Sequence, residues 1–266
     1  MKKNTIKYYL QHPILLSAII DQHFFHSMFS QRLWKTCQCS FCKKRFHHFM
    51  IHGYVSELVQ KHNTTLGPRF SDCPYCYSVD KYRWLWHVLE HNTNLKQLKN
   101  GKILHFAPEK PILSKIKKFI GTGVEYITGD LAPGHAEHIV DMTDIQFAND
   151  QFDLIIACNV LEHIPDEQAA IRELKRVLKP NGVIVLMIPI CFDMDTFEDP
   201  SINSDEKRLR YYRQEDHVRL YGNDYVKQFE KYGLNIKNIK PEKYFSSKEQ
   251  KQYGLTKVSP ILLCRK

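Results

Sequence analysis

The clearest chemistry in the sequence lies in two Cys-x-x-Cys pairs. They are Cys39-Ser-Phe-Cys42 and Cys73-Pro-Tyr-Cys76. Four thiolates in two such pairs bind zinc in a closed tetrahedral site, whose role is structural and not catalytic. Alternative ligands are Cys37 and, more weakly, His47, His48 and His52. We therefore predict a structural Zn²⁺ on Cys39, Cys42, Cys73 and Cys76, with a longer insert than usual between the two pairs.

The surroundings of these cysteines favour a metal over disulfide bonds. The sequence shows no clear export signal, and clustered cysteine pairs in a reducing compartment are typical of metal sites. Lys43, Lys44 and Arg45 follow the first pair and would offset the negative charge of four thiolates. On the same grounds we expect a cytoplasmic location.

Acidic side chains follow three successive strand-like runs. Glu109 comes after the first run, Asp130 after the second and Asp141 after the third. A carboxylate past the second strand of such a sheet is placed to accept hydrogen bonds from both ribose hydroxyls. A carboxylate past the third can accept one from the amine of adenine. The combination predicts a cofactor that carries adenosine and does not require phosphates.

A second dense group of chemical side chains follows the fifth run. Asp216, His217, Arg219 and Tyr221 lie within six residues of one another, and Glu198 precedes them. In an extended segment His217, Arg219 and Tyr221 would share one face. We predict that His217 is a general base, with Glu198 and Asp216 orienting it or the substrate. The alternative is a structural clasp between Asp216 and Arg219.

The elements that must position these residues alternate between strand and helix. Strands are predicted over 102–106, 124–127, 138–140, 153–158 and 183–189, and helices over 111–120 and 166–178. Pro180-Asn-Gly182 should end the second helix. The polar, basic stretch 201–213 reads as a loop or lid. Later come a helix over 223–232 and strands over 235–239 and 260–264 with no good helix between them, hence a hairpin. The sequence therefore predicts a doubly wound α/β sheet, mostly parallel, with an antiparallel hairpin at the C-terminus.

Two long segments carry a family resemblance. They are Gln151-Phe-Asp-Leu-Ile-Ile-Ala-Cys-Asn-Val-Leu-Glu-His-Ile164 and Glu173-Leu-Lys-Arg-Val-Leu-Lys-Pro-Asn-Gly182. Both resemble the class I S-adenosylmethionine-dependent methyltransferases, which have a Rossmann-like fold. The resemblance implies that Asp130 binds ribose, that Asp141 and Met142 flank adenine, and that Asn159 lies near the methionine part. The further cofactor contacts that we expect are Phe106, Ala107, Pro108, Glu109, Leu131 and His163.

The first turn departs from that family pattern. The family has a glycine-rich turn there, whereas this chain has His105-Phe-Ala-Pro-Glu109. Ala107 is small enough for a close backbone approach, and Glu109 supplies a carboxylate. The turn and the Asp216–Gly222 stretch resemble a subgroup of the family that carries an N-terminal zinc-ribbon-like module. Loss of cofactor binding is the competing interpretation.

Charge and composition divide the chain into three predicted regions. A helical arm covers 1–34, a zinc-binding module with a linker helix covers 35–95, and the methyltransferase domain covers 96–266. Residues 1–100 hold 14 Lys and Arg against 5 Asp and Glu, whereas 101–266 hold 24 of each. The arm is predicted to form an amphipathic helix over 5–33, which packs on the core or lies on a membrane surface. Its apolar run 13–20 is too short to span a bilayer.

Three functions fit these features. The leading one is O-methylation of a small-molecule or sugar acceptor, since a sulfonium methyl is already activated and needs only a positioned nucleophile. The second is an RNA methyltransferase whose basic zinc module grips nucleic acid. The third is a non-catalytic, zinc-dependent binding protein on a relic fold.

Overall fold

The computed structural model describes residues 36–53, Leu58 and 61–266. The helix predicted over 5–33 therefore lies outside the described residues. Within the described part, no helix combines the length and apolarity needed to cross a membrane.

Eleven strands and six α-helices are present in the described ranges. In chain order the strands are β1 (Cys37–Gln38), β2 (Arg45–Phe46), β3 (Met50–His52), β4 (Arg69–Asp72), β5 (Lys102–Phe106), β6 (Glu125–Asp130), β7 (His138–Ile139), β8 (Phe152–Cys158), β9 (Leu178–Met187), β10 (Asn235–Ile239) and β11 (Ile261–Arg265). The helices are α1 (Asp80–Asn92), α2 (Lys110–Phe119), α3 (Glu167–Val177), α4 (Asp205–Tyr211), α5 (Tyr225–Glu230) and α6 (Ser247–Tyr253).

The chain forms two compact units. One contains the described residues up to Trp84 together with Pro241–Val258, and the other contains Leu85–Lys240 and Ser259–Lys266. This grouping differs from the predicted regions in two places. The segment 241–258 belongs with the cysteine pairs, and the boundary falls inside α1 instead of after it.

Seven strands form one sheet in the second unit, in the order β10-β11-β9-β8-β5-β6-β7. The five strands from β9 to β7 pair in parallel. β11 is antiparallel to both of its neighbours. The predicted mixed α/β sheet with an antiparallel C-terminal pair is therefore confirmed, and it is consistent with a Rossmann-like methyltransferase fold.

The core of this sheet is built on β8, β9 and α3. Leu154, Ile155 and Ile156 are fully buried in β8, as expected for a central strand covered on both faces. α3 buries a stripe at helical spacing that includes Ile171 and Leu174. Asp166 caps its N-terminus by accepting from the N–H of Ala169.

The turn after α3 differs from the prediction. α3 ends at Val177, and β9 begins at the next residue instead of after Pro180-Asn-Gly182. Leu178 already pairs with Phe152, and the next pair is Leu154 with Val183, so residues 179–182 form a bulge inside the strand. Burial of Leu178 explains this early pairing.

Two short helices were not predicted. α6 lies between β10 and β11, where no good helix was expected. α4 lies inside 201–213, which was predicted to be a loop or lid. Ser246 and Glu249 form a capping box at the start of α6, and Gly254 ends it in the left-handed conformation. The Ser-x-x-Glu spacing was visible in the sequence, but the helix has no apolar stripe to reveal it.

The direction of the chain reverses beside β5. From β5 the chain adds β6 and β7 on one side, and it then returns to add β8 and β9 on the other. In open α/β sheets, ligands bind beyond the carboxyl ends of the strands at such a switch point. The residues that follow β5, β6, β7 and β8 are therefore the ones to examine for a site.

Gly222 provides a test of how the segment after β9 packs. A Cβ at this position would lie 2.2 Å from the carbonyl carbon of Asp195 and 2.3 Å from the oxygen of Met194. Because these are backbone atoms, we expect Gly222→Ala to lower the free energy of unfolding by about 2 kcal/mol. Gly121→Ala is the matched control, since no heavy atom lies within 4 Å of that Cβ. Equal urea midpoints for the two variants would contradict this packing.

Candidate active site and cysteine cluster

The turn after β5 has a glycine-type backbone without a glycine. Ala107 has a φ of 43°, in the left-handed region that costs an ordinary residue about 1–2 kcal/mol. Its N–H donates to the oxygen of Gly129 at 2.8 Å, which ties the turn to β6. Alanine, the smallest residue after glycine, thus takes the place of the expected glycine and keeps its left-handed backbone conformation.

Glu109 is held by a buried chain of hydrogen bonds. Its carboxylate lies 3.1 Å from Nε2 of His105, and Nδ1 of that ring lies 2.7 Å from the hydroxyl of Tyr126. Burial and the nearby Glu109 raise the pKa of Tyr126 well above its usual range, so the phenol stays protonated. Tyr126 therefore donates to His105, and His105 donates to Glu109. These hydrogen bonds fix the carboxylate of Glu109 at the start of α2.

Two further carboxylates are fixed at the ends of β6 and β7. Asp130 accepts from the N–H of Ala132 at 2.8 Å. Asp141 accepts from both the N–H and the hydroxyl of Thr143 at 2.7 Å. Each is an Asx turn that orients a side chain at the end of a strand.

The apolar neighbours of these carboxylates differ in exposure. Leu131 follows Asp130 and is 68% exposed, whereas Met142 follows Asp141 and is buried. Phe106, at the end of β5, is buried and pairs with Gly129 of β6. The strand pairing therefore places the predicted cofactor residues of β5, β6 and β7 on neighbouring strand ends.

Asn159 stands on the other side of the switch point, directly after β8. It too has a positive φ, 57°, a conformation that asparagine tolerates better than most residues. Its N–H donates to the oxygen of Met187 at 2.7 Å, and its side-chain amide donates to Glu162 at 3.1 Å. Asn159 thus links the end of β8 to the 3₁₀ turn Leu161–His163.

Glu162, His163 and His217 form a compact cluster. One potential ligand atom from each lies within 4.8 Å of the others. The two imidazole rings are 4.7 Å apart and nearly perpendicular. Asp216 bonds to His163 at 3.1 Å, whereas Nδ1 of His217 faces the oxygen of Tyr212 at 3.2 Å. Asp216 thus forms its ion pair with His163, whereas the prediction was that it orients His217 or the substrate.

His217 is neutral at physiological pH. Burial, followed by the neighbouring His163, lowers its pKa to about 4. A neutral imidazole can accept a hydrogen bond, but a pKa so far below the working pH makes it a weak proton acceptor on its own. His217 therefore needs help from its neighbours to activate a hydroxyl.

Arg219 uses every N–H of its guanidinium inside the protein. Nε and Nη2 bind the carboxylate of Glu198 at 2.8 and 3.3 Å. The remaining three bonds go to backbone oxygens, namely those of Leu161, Ile164 and Pro165. The clasp of this region thus joins Arg219 to Glu198, whereas the sequence suggested Asp216 as the partner. With five donors used, Arg219 holds the turn that carries Glu162 and His163.

The remaining member of this stretch is also committed to the core. Tyr221 is fully buried and donates to Glu167. Val218 N–H donates to the backbone oxygen of Glu162 at 2.9 Å. His217, Arg219 and Tyr221 are all buried, as expected for one inward face, but only His217 belongs to the cluster.

The four cysteines of the two pairs lie together in the first unit. Sγ of Cys39 is 3.7 Å from Sγ of Cys76, and Sγ of Cys42 is 3.7 Å from Sγ of Cys73. Four sulfurs at about 2.3 Å from a tetrahedral zinc lie about 3.8 Å apart, whereas a disulfide would bring two of them to about 2 Å. The cluster is consistent with a small zinc module.

Both cysteine pairs adopt the same turn. The N–H of the first cysteine donates to the carbonyl oxygen of the residue five positions later. The carbonyl oxygen of the same cysteine accepts from the N–H four positions later, which belongs to Lys43 after Cys39 and to Tyr77 after Cys73. Lys43 and Tyr77 both have a positive φ, 63° and 56°. This repeat, which the sequence shows only as Cys-x-x-Cys, aims both pairs of sulfurs at one point.

The alternative ligands are used elsewhere. Cys37 Sγ faces the oxygen of Lys251 at 3.9 Å, and His52 pairs with Asp72 at 3.1 Å. Among the described residues, the sulfur cluster consists of Cys39, Cys42, Cys73 and Cys76. It includes neither Cys37 nor His52, and neither His47 nor His48.

The cation buried beside the sulfur cluster is one that the sequence did not suggest. Lys43, Lys44 and Arg45 are exposed, whereas Arg83 is buried and lies over the ring of Phe49 at 4.3 Å. Arg83 donates to the oxygens of Ser71 and Ser78 in the cysteine region and to those of Tyr253 and Gly254. It therefore joins the end of α6 to the cysteine pairs.

Comparison with known proteins bears on the second unit. Residues 121–186 match the family described as "Methyltransferase domain". No curated protein matches the sequence significantly. Among solved structures, the YcgJ protein of Bacillus subtilis is 16% identical, with 68% of this chain and 99% of that chain covered and a TM-score of 0.42. The PH0226 protein of Pyrococcus horikoshii is 19% identical, with coverages of 69% and 90% and a TM-score of 0.43.

A third solved structure is that of an enzyme with its ligands. Phosphoethanolamine N-methyltransferase 2 of Haemonchus contortus, in complex with phosphomonomethylethanolamine and S-adenosylhomocysteine, is 14% identical. The match covers 68% of this chain and 52% of that chain, with a TM-score of 0.42. Since the structural likenesses are distant, the family match over 121–186 is the finding that bears on function, and it supports the predicted class of S-adenosylmethionine-dependent methyltransferases.

The left-handed backbone at Ala107 makes a testable demand. We expect Ala107→Val to lower the free energy of unfolding by about 2 kcal/mol, because a β-branched residue is poorly tolerated at positive φ. Ala107→Gly is the matched control and should unfold at the same or a higher urea concentration, since it relieves the strain. If valine were tolerated as well as glycine, the turn would not have this conformation.

Proposed function

We propose that the chain is an S-adenosylmethionine-dependent methyltransferase that methylates an oxygen of a small molecule or a sugar. The observation that carries the proposal is the convergence of Ala107, Asp130, Asp141 and Asn159 at the switch point of the sheet. The family match over 121–186 includes the two carboxylates and Asn159.

The cofactor side follows from the groups at these strand ends. Asp130 is suited to accept from the ribose hydroxyls and Asp141 from the adenine amine, with Leu131 and Met142 as apolar neighbours. Ala107 keeps the first turn narrow enough for close approach, and Phe106, Pro108 and Glu109 complete that side. When bound, the cofactor supplies an activated sulfonium methyl group. The chain has to hold that group still and place an acceptor oxygen in line with it.

The acceptor side is formed by the cluster of Glu162, His163 and His217. All three side chains can accept a hydrogen bond from a hydroxyl. Asp216 is placed to orient the ring of His163 through Nδ1, and Arg219 and Glu198 act by holding the turn Leu161–His163. Asn159-Val-Leu-Glu162 follows β8 in place of an Asn-Pro-Pro-Tyr-type motif for positioning amines, which favours an oxygen acceptor.

A second candidate is an RNA methyltransferase. The observation in its favour is the surface of the cysteine turns, where Tyr75 and Tyr77 are 45% and 70% exposed. Lys43, Lys44 and Arg45 are exposed in the same unit. Aromatic rings among cations are typical of single-strand binding. Incubation with labelled cofactor and fractionated cell extract separates the two, since label should enter small metabolites in the first case and RNA in the second.

Cofactor binding is tested at Asp130. We expect S-adenosylhomocysteine to bind the wild-type protein in calorimetry and Asp130→Ala to bind it about 10- to 100-fold more weakly, as for a lost charge-assisted hydrogen bond. Glu125→Ala is the matched control, because Glu125 lies at the other end of β6 and pairs with Lys102 at 2.8 Å. It should bind like the wild type. A wild-type protein that gives no heat would contradict the enzyme proposal and favour the non-catalytic alternative.

We also propose that the four-cysteine cluster binds a structural zinc ion. We expect Cys42→Ser to hold about one zinc ion per chain less than the wild type, as measured by elemental analysis. Its first unit should also be less stable and more sensitive to limited proteolysis. Cys37→Ser is the matched control, since Cys37 lies outside the cluster. Equal zinc contents in wild type and Cys42→Ser would contradict the proposal.

A further inference from the structure

The acceptor-side cluster has the composition of a metal site. Glu162 is 1% exposed and His217 is 4% exposed. Together with His163 they offer one carboxylate and two imidazoles, with ligand atoms within 4.8 Å of one another. Two histidines and one carboxylate form a three-ligand set that zinc and related divalent metals use in catalytic sites.

The hydrogen bonds of the two histidines set their tautomers. Nδ1 of His163 lies 3.1 Å from the carboxylate of Asp216, and Nδ1 of His217 lies 3.2 Å from the carbonyl oxygen of Tyr212. Both partners only accept, so each Nδ1 donates, and in the neutral ring Nε2 keeps its lone pair. Metal-binding histidines are oriented in this way, by a carboxylate or carbonyl on the ring nitrogen away from the metal.

The third side chain is supported as well. Glu162 accepts from the amide of Asn159 at 3.1 Å. Its backbone oxygen accepts from Val218, which joins the turn to the segment that carries His217. Arg219 fixes the same turn through the oxygens of Leu161 and Ile164. All three side chains are thus oriented by the surrounding protein, which is what a metal site requires of its outer shell.

Charge favours a cation at this place. Glu162 is buried, and Asp216 is a second carboxylate, which contacts Nδ1 of His163. Arg219, two residues after His217, is bound by Glu198. A divalent ion between the three side chains would be attracted to the carboxylate of Glu162.

We propose that Glu162, His163 and His217 bind a divalent transition-metal ion of the zinc class, with one coordination position left for an oxygen of the acceptor. The binding of the ion does not depend on the activity, whereas its role toward the acceptor rests on the proposed function. A metal at this position would activate an acceptor hydroxyl by lowering its pKa.

The test measures metal on the full-length protein without cofactor or acceptor. The probes are Zn²⁺ and Co²⁺, added after loosely held metal has been removed and followed by elemental analysis and visible absorption. We expect His163→Ala and Glu162→Gln each to hold about one Zn²⁺ per chain less than the wild type. His91→Ala, an exposed histidine on α1, should hold as much as the wild type. The ion should remain in Cys42→Ser, and cobalt bound to Glu162, His163 and His217 should show d–d bands without a thiolate charge-transfer band.

A second variant separates a metal site from a purely structural cluster. Asp216 is 65% exposed, so Asp216→Asn should fold normally. We expect it to weaken Zn²⁺ binding by about 10- to 100-fold, as loss of an outer-shell carboxylate does. Unchanged Zn²⁺ content and affinity in His163→Ala, Glu162→Gln and Asp216→Asn would overturn the proposal. Failure of the methyltransferase proposal would instead show as absent S-adenosylhomocysteine binding with this metal still bound.

Discussion

Burial of the central strands on both faces constrains everything else in the second unit. β8 and β9 are covered above and below, so their side chains are apolar and their backbone groups are paired within the sheet. Polar chemistry can then stand only where these strands end. Because the strand order reverses beside β5, the connections after β5 and β8 run in opposite directions across the sheet. This leaves space for a ligand between the ends of these two strands. Ala107 and Asn159, both with a positive φ, turn the chain away at these two ends.

The acceptor side depends on a different device, a buried arginine. Arg219 joins the carboxylate of Glu198 to three backbone oxygens of the turn after β8. Leu161 O also accepts from the N–H of Ile164, whereas Ile164 and Pro165 lie outside the helices and strands. The guanidinium thus satisfies carbonyl oxygens that would be costly to bury unpaired. The result is a rigid mount for Glu162 and His163. His217 reaches the same place from its own segment, two residues before Arg219.

The first unit also contains a buried arginine that binds backbone oxygens. Arg83 donates to four backbone oxygens, two from the cysteine region and two at the end of α6. It joins segments more than 150 residues apart in the chain, as its bond to Tyr253 spans 170 positions. A unit with only short strands has few ladder hydrogen bonds, and a many-donor side chain compensates for them. In both units, therefore, a buried arginine binds backbone oxygens of several segments.

Local pattern was enough to predict the sheet, the helices α2, α3 and α5, and the cluster of four cysteines. Apolar period, turn residues and Cys-x-x-Cys spacing are properties of short segments. The carboxylates at strand ends were predictable for the same reason. Pairings between distant segments were not. The sequence placed Asp216 beside His217 as its neighbour in the chain, yet the fold brings it to His163, 53 positions earlier. Only tertiary structure decides such partners, since they depend on how separate loops meet in space, which no local period records.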